Sequence, residues 1–593
     1  MPFHKTLLFI CCVGLLSTLS TAQAVPIPTE KPSSMHANTP TKQTPQPTYN
    51  LGFKTSPTGK PLSNRDIALY KEIYRLQSIH DWDTANTIIP KIDNSILIGH
   101  VMAQRYLHTD YTPTASELQR WLSLYSDHPE STVIAKMSGQ IKGQYKKRVT
   151  GTIEELRYFS RGSKYFSTKY KSGQRSEINL VKKAIEKHLG RGSATAALNY
   201  FENHRVNGYI DPIDKSQILA EIASVYLYLG HISKARQTAA KAIKLSTQTP
   251  IASWIMGLTA WMNKDFKDAA KYFTLAADAK YASPWMTSAA AYWGARASTR
   301  AGLYKDVSGL LSKAVKNQRT FYGLIATKAL GYGFDFNWTM PQMSAKIQNI
   351  LQQYPASARA VALAQIGQLR LAEEELHSLN VRSDDKLAEA AIALANHYNM
   401  AGFAMRYSLA MPNPAGGYYD AGLFPISSWT KYKNKHVNVP LLNAFIRQES
   451  RFNISARNAT GATGLMQIMP NTAAFVADND VYKTQGGQKL LTNPKTNIEI
   501  GQNYLDHLLG LNVVDDDLFG LAIAYNAGPG KLGRWKRGLK VTDPLLFIEL
   551  IPASETRAFV ERVATNYWIY QMQMGEDTKT LDAVASGQWP KLD

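Results

Sequence analysis

Glu449 is the residue in this chain best placed to exchange a proton with a bound molecule. Counting back from it at helical spacing meets Ile446 and Phe445, then Leu442 and Leu441. A helix over 439–450 therefore draws a carboxyl group toward an apolar core. Burial penalises the charged form of a carboxyl group and raises its pKa, which is what a general acid needs near neutral pH. The competing reading is a glutamate at a fraying helix end, open to water or paired with Arg447 or Arg451. Two further segments bear on the choice. Gly461-Ala462-Thr463-Gly464-Leu465-Met466-Gln467-Ile468-Met469-Pro470 opens with glycines that let backbone approach another surface closely. It then supplies an amide, Gln467, beside a flexible thioether, Met469. Residues 518–530 read as a helix stopped by Gly528-Pro529, with Tyr525 and Asn526 at its end, where polar tips can reach a ligand. Taken singly, a methionine or tyrosine in a helix is usually core, and Asn526 is equally a helix-end cap.

The elements that must position these groups are helices. Pro440 suits the first turn of the Glu449 helix. Together, Glu449-Ser450, Gly464-Leu465-Met466-Gln467 and Ala524-Tyr525-Asn526-Ala527-Gly528 resemble, in order and spacing, the signature of soluble lytic transglycosylases with a goose-lysozyme-like catalytic domain. Ile551-Pro552-Ala553-Ser554-Glu555-Thr556-Arg557 and the following Tyr567-Trp568-Ile569-Tyr570 carry the same resemblance. Ala291-Tyr292-Trp293-Gly294-Ala295-Arg296-Ala297 and Phe321-Tyr322-Gly323 extend it to the superhelical domain of the large, ring-shaped members.

The resemblance implies cleavage of the β-1,4 bond between N-acetylmuramic acid and N-acetylglucosamine in peptidoglycan. Glu449 would protonate the bridging oxygen and then accept a proton from the muramic C6 hydroxyl, leaving a 1,6-anhydro end. It implies that Gln467 and Met469 line the glycan groove and that Tyr525 positions Glu449 or the substrate. Ser450 and Asn526 join the substrate site, and Glu555 shapes it. One position departs from the pattern: many members carry a serine nine residues after the catalytic glutamate, and here that residue is Asn458. Asparagine also donates and accepts hydrogen bonds, with a different geometry. Two rival readings stand beside this one. A hydrolytic muramidase would use a second carboxylate; none follows Glu449 in sequence before Asp478, and Glu555 is the candidate from elsewhere in the fold. A non-catalytic wall-binding scaffold would need no acid at all.

The whole chain frames these motifs. At 593 residues it is long enough for two to four domains. Its 67 basic against 46 acidic residues give a net charge of +21, which favours a polyanionic partner such as nucleic acid, an anionic membrane or an acidic wall polymer. His4 and Lys5, the apolar run Leu7 to Leu16 and Ala22-Gln23-Ala24 read as a secretory signal over 1–24. That predicts a periplasmic protein and weakens the nucleic-acid reading; an uncleaved anchor is the alternative. Cys11 and Cys12, the two cysteines, both fall in this signal, so the mature chain is expected to lack disulfides, thiolate metal sites and cysteine nucleophiles. Residues 25–64 are rich in Pro, Thr, Ser and Gln, a composition that cannot bury a core, and read as a tether.

From Asp66 onward apolar residues recur three and four apart, and strand signals are scarce, so the class is mainly α. Gly230-His231-Ile232-Ser233-Lys234-Ala235 aligns with Lys264-Asp265-Phe266-Lys267-Asp268-Ala269 at an offset of 34, with a looser copy at Gly302-Leu303-Tyr304. That is the period of helix-turn-helix solenoids. The expected order is a superhelical domain over 65–410, a connector over 411–422 marked by Pro412, Pro414, Gly416 and Gly417, and a lysozyme-like domain over 423–593. No metal constellation and no cofactor motif is found. Lys531, Arg534, Lys536 and Arg537 form either a solvated basic face or a site for peptide-stem carboxylates.

Overall fold

The computed structural model describes residues 61–139, 169–381, 384–411 and 417–592. The signal, almost all of the tether, the basic run Lys146-Lys147-Arg148, expected from the sequence as a charged helix surface, and the connector residues 412–416 lie outside them. Helices dominate, as the periodicity predicts. Among the described residues, β-type pairing is confined to isolated bridges, and no helix is long and apolar enough to cross a membrane.

The 34-residue repeat marks helix hairpins. Gly230, Lys264 and Gly302 all have positive φ, and each stands two positions before a new helix: Ile232–Leu245, Phe266–Ala277 and Tyr304–Val315. The same device recurs at His80, Gly192, Gly367 and Asn399, before helices that begin at Trp82, Ala194, Leu369 and Ala401. The copies at His80 and Asn399 escape sequence comparison because a left-handed turn accepts His and Asn as well as Gly at modest strain. Successive helices between Pro212 and Val315 pack each on the next. Small residues let them approach: Ala235, Ala239, Ala242, Ala269 and Ala276 are fully buried.

Two large apolar cores and a small one around Trp121 organise the described residues. One joins Leu62 to Val101 with Ile347 to Tyr419, so the first helices return to pack against the last helices of the superhelix. Polar pairs reinforce this closure. Leu62 N donates to Gln365 Oε1 at 3.1 Å, and Arg359 meets Asp127 at 3.0 Å. The larger core runs without interruption from Ile178 into the C-terminal region as far as Val584.

The join within that larger core falls on the motifs Ala291–Ala297 and Phe321–Gly323. Phe321 is fully buried and stacks on Trp568 at 5.3 Å between ring centroids. Trp293 Nε1 donates to the Tyr322 hydroxyl at 2.9 Å, which donates onward to Glu549 at 2.5 Å. Arg296 lies over the Trp293 ring and pairs with Asp543. Trp285 Nε1 donates to Glu561 at 2.6 Å. Buried polar groups are costly unless paired, so these contacts set one orientation of the superhelix on the C-terminal helices. Removing the Phe321 ring should open a cavity at this join. Phe321→Ala is expected to destabilise the protein by about 3–5 kcal/mol, read as a lowered urea midpoint in tryptophan fluorescence.

Candidate active site

The Glu449 helix spans Val439–Ser450, capped by Asn438, whose side chain accepts from Leu441 N at 2.9 Å. Leu441, Leu442, Phe445 and Ile446 are buried, as the apolar face requires, and the helix ends in left-handed Arg451. Glu449 itself is half-buried. Burial, and after it the charge of Glu555, pushes its carboxyl pKa from 4.5 up to about 8. No ion pair or hydrogen bond to the Glu449 carboxyl occurs among the described residues. The rival pairing with Arg447 does not form, because that guanidinium faces the other way. It donates to Leu423 O at 2.9 Å and Asn566 Oδ1 at 2.7 Å and lies 4.1 Å from the centre of the Phe424 ring.

Aromatic rings back the acid. Phe445, one turn before Glu449 on the same face, packs on Tyr525 at 4.8 Å. Tyr525 also packs on Tyr504 at 5.5 Å and Phe559 at 6.3 Å. Its hydroxyl donates to Met466 O at 2.7 Å, joining the helix end at 518–527 to the Gly464–Gln467 loop. Burial, followed by the Glu449 and Tyr504 charges, raises the Tyr525 pKa well above its ordinary value, so Tyr525 is a neutral donor. Its neighbour Asn526 accepts from Thr556 Oγ1 at 2.7 Å. That bond ties the Tyr525–Asn526 motif to the segment bearing Glu555, which is exposed.

The Gln467 loop is tightly wound. Gly464 has φ of +82°, and a Cβ there would stand 2.2 Å from Leu491 O, so only glycine fits. Gln467 Nε2 donates to Ala456 O at 3.0 Å and Gly464 O at 2.9 Å, while Oε1 has no hydrogen bond among the described residues. Met469 is 37% exposed just before helix Pro470–Ala477. Ser450 is buried, and its hydroxyl bonds Ile446 O within its own helix. Asn458 is exposed. Its Oδ1 accepts from Thr460 N, Thr460 Oγ1 and Ala462 N, and so closes its own loop with no hydrogen bond to Glu449. Of the basic cluster, Lys536 bonds Val513 O at 2.9 Å.

Reading along the chain missed Asn497. It is fully buried and holds the loop from behind, accepting from Met466 N and donating to Thr463 O and Leu491 O. An asparagine within a helix pattern carries no local sign of such a role, since two of its partners lie more than thirty residues away. Asp517 is likewise buried. It caps helix Leu518–Ala527 through Phe519 N and Gly520 N, and burial raises its pKa to about 7.

With this geometry in place, residues 427–544 match the family model of the transglycosylase SLT domain. The chain carries an SLT domain. The SLT match takes in Glu449, Gln467 and Tyr525 and stops short of Glu555. Beyond the SLT segment, the chain is similar to the soluble lytic murein transglycosylase of Salmonella typhimurium, 29% identical over 54% of this chain and 47% of that protein. It is 27% identical to the Escherichia coli protein of the same name, over 56% of this chain and 49% of the relative. The chain thus spans about half the length of these curated relatives. In three dimensions it resembles the 70 kDa soluble lytic transglycosylase of Escherichia coli, with a TM-score of 0.55 at 16% identity over 89% of this chain and all of that one. At that identity the likeness speaks for the fold: a helical superhelix followed by a lysozyme-like SLT domain.

The raised Glu449 pKa has a consequence for stability. The folded state holds this proton more tightly than the unfolded chain, so Glu449 lowers stability as pH rises from 4.5 toward 8. Glu449→Gln, which cannot ionise, should raise Tm relative to the wild type at pH 8 and change it little at pH 4. Melting curves across that range check the sign.

Proposed function

We propose that this protein is a lytic transglycosylase that cleaves the β-1,4 bond between N-acetylmuramic acid and N-acetylglucosamine in peptidoglycan, without water, leaving 1,6-anhydromuramic ends. The observation that carries this reading is Glu449, a half-buried carboxyl group with no ion pair or hydrogen bond among the described residues and a pKa near 8, inside an SLT domain. Protonated at neutral pH, it gives its proton to the bridging oxygen as the glycosidic bond breaks. The carboxylate so formed takes a proton from the muramic C6 hydroxyl, whose oxygen closes on the anomeric carbon. One proton leaves and one returns, so the acid is restored.

Gln467 Oε1 and Met469 line the groove, and Tyr525 holds the loop against the acid. Ser450, Asn458 and Asn526 shape the site, and Glu555 keeps the Glu449 proton in place while contacting substrate. The names of the curated relatives support the same chemistry. Residues 1–24 act as an export signal to the periplasm and 25–60 as a tether, which leads into Leu62 in the first core. The superhelix over 65–410, joined by 411–422 to the catalytic domain over 423–593, guides anionic strands by its basic surface. Lys531, Arg534 and Arg537 meet peptide-stem carboxylates.

Mass spectrometry of purified peptidoglycan digested by the protein tests this. Anhydro-ended products are expected. Products heavier by one water would replace the reading with hydrolysis, and no products would leave a binding scaffold. Glu449→Gln should lower turnover by about 10²–10⁴-fold or more while sacculus binding persists. Glu555→Gln removes the neighbouring charge that holds the Glu449 proton. The alkaline limb of the pH–rate profile should then move to lower pH, and an unmoved limb would remove Glu555 from that role.

A further inference from the structure

A second constellation, separate from the groups around Glu449, lies in the core where the first helices close on helix Leu369–Leu376. His100 is fully buried. Its Nδ1 meets Glu130 Oε1 at 2.9 Å and its Nε2 meets Glu375 Oε1 at 2.8 Å. The His128 ring lies 4.6 Å from that of His100 and is only 2% exposed. Neither of its ring nitrogens has a hydrogen-bond partner, and neither has Glu130 Oε2. Two orphaned nitrogens in a buried ring cost stability, where a phenyl ring would fill the space without that cost. The surroundings are nevertheless shaped for this imidazole. It stacks on Tyr125 at 5.2 Å, and a Cβ on Gly99 would stand 2.4 Å from its Cε1. One ligand atom each from His100, His128 and Glu375 lies within 4.8 Å of the others.

We propose that His100, His128 and Glu375 bind a divalent transition metal, zinc in the first instance, that clasps the N-terminal helices to helix Leu369–Leu376. Two imidazoles and a carboxylate are a zinc ligand set, with water completing a tetrahedron. Zn–N distances near 2.0–2.1 Å place ligand atoms about 3.3 Å apart. The His100–Glu375 contact therefore opens by about half an ångström on exchanging its proton for the metal, and His128 closes in. Glu130 supplies the outer partner: accepting from Nδ1–H, it turns the Nε2 lone pair toward the metal, as in carboxylate–histidine–zinc arrangements. Charge also balances. Arg359 bridges Glu375 at 2.7 Å and Asp127 at 3.0 Å, and a doubly charged ion beside Arg359 offsets the carboxylates of Asp127, Glu130 and Glu375.

The test uses the full chain, stripped with EDTA and returned to zinc chloride. Stoichiometric zinc retained through gel filtration, with a rise in Tm of several degrees, is the expected result. His128→Gln should lose the zinc and the Tm response, and Glu130→Gln should weaken binding about 10–100-fold; the second variant serves if the first does not fold. No retained zinc overturns the proposal. So does zinc that survives His128→Gln and Glu130→Gln but is lost on His108→Ala, which would place it at the more exposed His80–His108–Asp110 group. Activity is not part of the readout, so this proposal stands or falls apart from the assignment at Glu449.

Discussion

A carboxyl group held without a counter-charge is the constraint around which the C-terminal region is arranged. Any cation within reach would pair with Glu449 and pull its pKa down. The nearest in sequence, Arg447, is drawn away by Leu423 O, Asn566 and the face of Phe424. On the acid's own side stand Phe445, Tyr525 and Phe559, rings that exclude water and offer no charge. Such a site works against stability, and the surrounding contacts must over-determine it.

Those contacts form a chain that begins in the superhelix. Trp285 holds Glu561 on the long helix Ser554–Met574. The same helix grips the Glu449 helix through Asn566, which donates to Ala444 O and accepts from Arg447. Thr556, in its first turn, reaches Asn526, and Tyr525 then carries the order to the Gln467 loop. Arg557, next to Thr556, lies over the ring of Tyr228 in the superhelix. The helical array is thus continuous with the site's scaffold, through one unbroken apolar core. Closure of the first helices on the last keeps that array from opening as a free solenoid, whose end repeats would expose apolar faces.

Much of this was legible along the chain because it is written in local periodicity. The apolar face below Glu449, the glycines of the Gln467 loop and the glycine-proline stop after Asn526 are short-range patterns with short-range causes. The hairpin repeat was legible only where the left-handed residue coincided with similar neighbours, and its copies at His80 and Asn399 were not. Ser450 and Asn458 show the opposite limit. Their types suit a binding site, yet their hydrogen bonds turn back into their own helix and loop, a choice that depends on side-chain direction.

The sequence by itself determined the mainly helical class, the helix that carries Glu449 and the short motifs around it. Helix formation and turn chemistry are decided within a few residues. Only the tertiary structure decided that Arg447 would leave the acid alone, that Asn497 would brace its loop, and that Phe321 and Trp568 would join the superhelix to the C-terminal helices. Those outcomes rest on partners tens to hundreds of residues apart, and burial and pairing exist only once the chain has closed on itself.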